Sequence, residues 1–362
     1  MSVLLMIGTG KGLFLARREQ PGQAWQVGVP HFPMTAIYAV GIDPRPATPR
    51  LLAAIDSSHF GPSVAVSDDL GASWREPEEA PIAFPAGTET SLRRVWAFAP
   101  GSAAGDPSVV WAGTEPSALF KSVDGGVSYE LVQSLWDHPH RPQWGEGFGG
   151  QAIHTITPHP ADPDRVLVAM STGGVYRTTD GGRTWSATNT GIKAYFLPDQ
   201  FPEFGQCVHK VARDQANPER LYLQNHHGVY RSDDDGVTWT SIADGLPSDF
   251  GFPVVAHPGR GDTLWNFPLT ADGSRFAPDF KCQVFRSTDA GKSWQPQSAG
   301  LPTEPFYSTV LRDAMCTDTA DPAGVYFGGR SGEVYASPDE GESWERVATQ
   351  LPGILCLRAV AL

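Results

Sequence analysis

The sequence predicts an all-β fold, a seven-bladed β-propeller, and three observations carry that expectation. An octet of the form Ser/Thr-x-Asp-x-Gly-x-Ser/Thr-Trp/Tyr occurs six times: Ser67 to Trp74, Ser122 to Tyr129, Thr178 to Trp185, Ser232 to Trp239, Ser287 to Trp294 and Ser337 to Trp344. Its aspartates, Asp69, Asp124, Asp180, Asp234, Asp289 and Asp339, stand 55, 56, 54, 55 and 50 residues apart, a period that marks a repeat architecture. Short alternating runs such as Val175-Tyr176-Arg177 and Val229-Tyr230-Arg231 precede the octets, as half-buried strands should.

Within each octet the hydroxyl residue and the Asp can bond nearby backbone N–H groups. The Gly permits a positive φ, and the closing aromatic starts the next strand and buries its ring. The octet is therefore a hairpin turn between the third and fourth strands of a blade. Repeated in blade after blade, it belongs to the scaffold and not to a unique site.

Taken in order, the N-terminal unit supplies a second, third and fourth strand at about 2 to 8, 12 to 18 and 24 to 28, but no first strand and no octet. The tail, 354 to 362, follows the last octet as each first strand follows the one before it, so it is expected to complete the N-terminal blade and close the ring. Closure removes the open edges that invite aggregation. Blades two to seven fall at about 36–77, 92–133, 152–189, 207–243, 252–298 and 308–348, with no helix expected, and 1–362 reads as a single propeller domain. The abundance of Gly (39) and Pro (32) fits many short strands joined by turns.

Lys and Arg number 27 against 40 Asp and Glu, a formal charge of −13, which argues against nucleic acid or an anionic membrane as partner. Cys207, Cys282, Cys316 and Cys356 have no zinc-knuckle or redox spacing and read as free thiols. The apolar start, Val3 to Ile7, is too short for a membrane span and lacks a basic leader and cleavage site, so it reads as a strand and a cytoplasmic location is expected.

The octet resembles the Asp-box, or BNR, repeat, and the chain looks like a bacterial, glycosyl-hydrolase-like member of that β-propeller superfamily. Sialidases, xyloglucanases, sortilin-type receptors and photosystem assembly factors are similar in this repeat, so the resemblance implies the fold and leaves the function open. Sialidases also carry a Phe-Arg-Ile-Pro type motif near the N-terminus and a six-bladed body. This sequence has neither that motif nor that unit count. The xyloglucanase type uses two facing propellers where this chain has one.

Aligned on the turn that follows, the first strands carry Tyr38, Arg94, His154, His209 and Phe252 at one position, with Arg312 or Asp313 in that place in blade seven. A purely structural repeat would put similar apolar residues there, so these exceptions form the candidate ligand-facing set. Loops between second and third strands add His59, Glu115, Asn225 and His226, and the connection after blade three adds Trp136 and His138. Strands running alternately up and down bring these loops out opposite the octets, and the channel mouth on that face is the expected site.

His154, His209, Glu115 and Asp313 are the candidates for proton transfer. Tyr38, His59, Arg94, Trp136, His138, Lys210, Asn225, His226 and Arg312 are the candidates for holding substrate. His154, His209 and His226 are the candidate ligands should a divalent metal bind; hydrogen bonding without metal is the plainer reading of the pair in adjacent blades. The expected function is an enzyme acting on a small polar or anionic molecule, a glycoside or sugar acid, by hydrolysis or elimination. The alternatives are a non-catalytic binding or assembly propeller and a metal-dependent lyase or hydrolase.

Overall fold

Every octet closes on itself through the same four hydrogen bonds. In Ser232 to Trp239 the Ser232 hydroxyl donates to Asp234 Oδ1 (2.7 Å) and accepts from the Gly236 N–H (2.8 Å), while Asp234 accepts from the Thr238 N–H (2.9 Å) and hydroxyl (2.6 Å). The set recurs in the octets headed by Ser67, Ser122, Thr178, Ser287 and Ser337. The fifth residue is a glycine at positive φ each time, 84° at Gly236, a conformation that a side chain would strain. The closing ring is buried in five octets and half-buried at Trp74.

The computed structural model describes every residue except Glu78 and Phe148. Its strands form seven antiparallel sheets, six of four strands and one of three, and the fold is the seven-bladed β-propeller. The chain divides into two compact units.

One unit comprises Met1–Met34, Thr190–Phe201 and His209–Leu362 and carries blades one, five, six and seven. Its N-terminal sheet runs Ile354–Ala361, Val3–Thr9, Gly12–Arg18, Gln26–Val27, with Val3 opposite Ala361 and Ile7 opposite Leu357. The last strand thus completes the first blade. The core joins Leu5, Ile7, Trp265, Phe267, Val325 and Phe327, and Trp294 lies in a second cluster with Tyr222 and Ile242, donating from Nε1 to the Ile242 carbonyl (2.8 Å).

The other unit, Thr35–Asn189 with Pro202–Val208, carries blades two, three and four. Blade two departs from expectation: it has Ala36–Asp43, Arg50–Ser57 and Gly61–Ser67, and its fourth strand shrinks to a bridge between Val66 and Arg75. The chain there continues into Pro77, which has no N–H to extend the ladder. A second departure is a single helical turn, Gln133–Trp136, in the connection after blade three, where no helix was expected. It seats Leu135 and Trp136 in the apolar clusters beneath. Among the described residues no helix is long and apolar enough to cross a membrane.

Candidate functional site

First strands are interrupted where the sequence places its polar exceptions. Pairing slips between Ile37 and Ala39, Val95 and Ala97, Ile153 and Thr155, Gly251 and Val254, and Val310 and Met315, leaving Tyr38, Trp96, His154, Phe252, Arg312 and Asp313 in the irregular stretches. A bulge redirects a side chain that regular pleating would bury. In blade three the bulged residue is Trp96, two places beyond the Arg94 that turn alignment selects.

In the three-blade unit Tyr38, Arg94 and Trp96 converge at the strand ends away from the octets, for Arg94 pairs with Glu115 and Ala36 with Asp56. The Arg94 guanidinium lies 3.8 Å from the Tyr38 ring centroid and 5.6 Å from that of Trp96. It bonds two carboxylates, Asp56 through Nε (3.0 Å) and Glu115 through Nη1 (3.3 Å). Trp96 Nε1 also donates to Glu115 (2.9 Å). Sequence reasoning selects Tyr38, Arg94 and Glu115 and misses Asp56 and Trp96. Asp56 is the last but one residue of its strand, facing Ala36 across the ladder, and the register alone would have exposed it.

The other unit gathers two groups. Asp313, 6% exposed, accepts at Oδ1 from Lys210 (2.6 Å) and Arg358 (2.9 Å). Burial alone would raise its carboxyl; the two cations overcome this and hold it below the usual carboxylate range. Burial in turn lowers the Lys210 ammonium, against the pull of Asp313. Nearby, His209 is buried with Nδ1 2.6 Å from the Gly251 carbonyl, and burial, followed by the charge of Arg312, pushes its imidazole down to about 3. His226 packs on it with ring centroids 5.6 Å apart, beside Phe250 and Phe252, and is lowered by burial too. Asn225 is buried and donates to the Lys193 carbonyl (2.7 Å), fastening a connection.

The remaining candidates take other places. His154 is fully buried with Nε2 on the Val208 carbonyl (2.9 Å) and Nδ1 on the Thr155 hydroxyl (3.1 Å). Both nitrogens being engaged, it offers no lone pair to an ion, whereas ligand nitrogens of His209 and His226 lie within 4.8 Å of each other. Trp136 packs on Phe84 in the core with Arg141 over its face, His138 packs against Trp144 and Tyr176, and His59 is exposed in a tight turn.

The BNR/Asp-box repeat family matches residues 176–187, which contain the octet Thr178 to Trp185. The chain carries Asp-box repeats on a seven-bladed β-propeller. It is similar to the xyloglucanase Xgh74A of Acetivibrio thermocellus, 26% identical over 273 residues that cover 63% of this chain and 30% of the relative. A xyloglucanase of Hypocrea jecorina is 28% identical over 321 residues, 76% of this chain and 34% of the relative. The chain spans about a third of the length of these curated relatives. Among solved structures, YCF48 from Cyanidioschyzon merolae superposes with a TM-score of 0.59 at 14% identity, covering 91% of this chain and 90% of that one, a likeness of fold.

Proposed function

We propose that the protein is a glycoside hydrolase whose sugar-binding centre is the cluster of Tyr38, Arg94, Trp96, Asp56 and Glu115. The observation that carries this reading is a single guanidinium holding two carboxylates above two aromatic rings. Aromatic faces stack on the C–H faces of a pyranose, and carboxylates accept its hydroxyls. Glycoside hydrolysis needs two carboxyl groups, one to protonate the leaving oxygen and one to activate water or attack the anomeric carbon. Glu115, oriented by both Arg94 and Trp96, takes the second role, and Asp56, bonded to Arg94 alone, takes the first. The C–O bond to the leaving sugar breaks as Asp56 gives its proton to the departing oxygen, the water oxygen joins the anomeric carbon as Glu115 takes the water's proton, and solvent exchange returns a proton to Asp56. Similarity to xyloglucanases supports a glycan substrate, so xyloglucan and its oligosaccharides are the first to test.

The test measures reducing ends released from xyloglucan and other β-glucans. Wild type should hydrolyse at least one of them, and Glu115→Gln should lower kcat by about a hundredfold or more while the polymer still retards the protein in affinity electrophoresis. Absence of both hydrolysis and retardation would overturn the assignment. A non-catalytic binding role is the second reading, favoured by the mutually packed and exposed rings of Phe276, Phe280 and Tyr307. Retardation without hydrolysis, lost on replacing these three by Ala, would select it.

A further inference from the structure

The four-blade unit holds a cleft of about 260 Å³ that the glycan reading leaves unused. It lies at the end of the first strands that also carries the octets, reaching Gln215, Pro258 and Thr317 where Val208–Arg213, Gly251–Ala256 and Val310–Thr317 finish. None of the residues lining it belongs to the cluster of Tyr38, Arg94, Trp96, Asp56 and Glu115.

Charge within the cleft is unbalanced. Lys210 and Arg358 line it and share the one carboxylate oxygen of Asp313, while Arg312 adds positive field to Lys210. The other lining cation, Arg213, is matched by its own bond to Asp235 (2.7 Å). An ammonium has three N–H groups and a guanidinium five. Lys210 gives one to Asp313, and Arg358 gives Nη2 to Asp313 and Nη1 to the Leu357 carbonyl, so both have donors beyond these bonds. Two partly buried cations sharing one carboxylate oxygen leave local positive charge that favours an anion, and such a pair of donors suits a carboxylate. The lining also contains apolar Val255, Ala256 and Met315, which suit a hydrocarbon body and not the fully hydrated sphere of an inorganic ion.

We propose that this cleft binds a small organic monocarboxylate, its oxygens on Lys210 and Arg358 and its apolar part against Val255, Ala256 and Met315. The site does not depend on the sugar-binding cluster. Isothermal titration calorimetry of the full chain with butyrate and with benzoate, at constant ionic strength, tests it. Saturable binding of at least one is expected, weakened about tenfold or more by Arg358→Met, the loss of one charge-assisted hydrogen bond. Because Arg358→Met disturbs Asp313, Ala256→Phe serves as a second variant that fills the cleft and leaves every charge in place; it should weaken binding to a similar degree with the melting temperature unchanged. Failure of both acids to bind, wild-type affinity in both variants, or equal affinity for inorganic phosphate and chloride would overturn the proposal.

Discussion

The hydroxyl that opens each octet does more than its size suggests. Ser232 is 1% exposed, and its oxygen both donates to Asp234 and accepts from the Gly236 N–H. Ser232→Ala leaves that N–H without its partner inside the turn, and a buried donor so orphaned costs about 1–3 kcal/mol. Urea denaturation should show this loss, and Ser232→Thr should be close to neutral, because Thr178 makes the same bonds in blade four. Equal stability of Ser232→Ala and wild type would show that the turn is held by its glycine alone. Such roles are legible in sequence because the pattern repeats. Trp96 is the contrary case: its position depends on a bulge in one blade, which spacing from the following turn does not record, so alignment lands on Arg94.

Elements were as readable as their repetition allowed. The strand at 354 to 362 was recognisable by what precedes it, and the pairing of Ile354–Ala361 with Val3–Thr9 follows from that logic. The bridge in blade two and the helical turn after blade three were not, since each depends on how a connection settles over an apolar floor. Closure makes a prediction at this scale. Leu4, Met6 and Ile7 are fully buried in a strand whose one neighbour is Gly12–Arg18 and whose other is the tail. Ending the chain at Gly353 removes the second neighbour and opens a long apolar edge of the kind that pairs with other chains. The truncated protein should elute as higher oligomers in gel filtration and lose the cooperative melt of wild type, and a peptide of residues 354–362 added during refolding should restore part of it. A monomeric, cooperatively melting truncation would mean that the tail is an ornament of the blade.

At the scale of the whole molecule the octets act together on acid stability. Hydrogen bonds from the Ser73 side chain and backbone, then from Ser67, hold the Asp69 carboxyl down at about 2, and the bonds from Thr184 and Thr178 hold Asp180 lower still; the other four octet aspartates are lowered as well. A carboxyl depressed in the folded state contributes stability that is fully present above its unfolded value, near 3.8, and is lost as pH falls through its folded value. His209 has the same sign over a higher window, since an imidazole lowered from 6.5 to about 3 binds its proton more readily once unfolded. The urea midpoint should therefore decline from about pH 6.5, and fall more steeply between about pH 4 and 2, where protonation of the octet carboxylates favours the unfolded chain. Salt separates this from a competing cause. With 27 Lys and Arg and 10 His the protein becomes strongly cationic in acid, and that self-repulsion is screened by added salt. The octet bonds run largely from neutral hydroxyls and backbone N–H groups. The lower, steeper fall should thus persist in concentrated sodium chloride, whereas its disappearance there would assign acid lability to net charge and deny the octets a collective role.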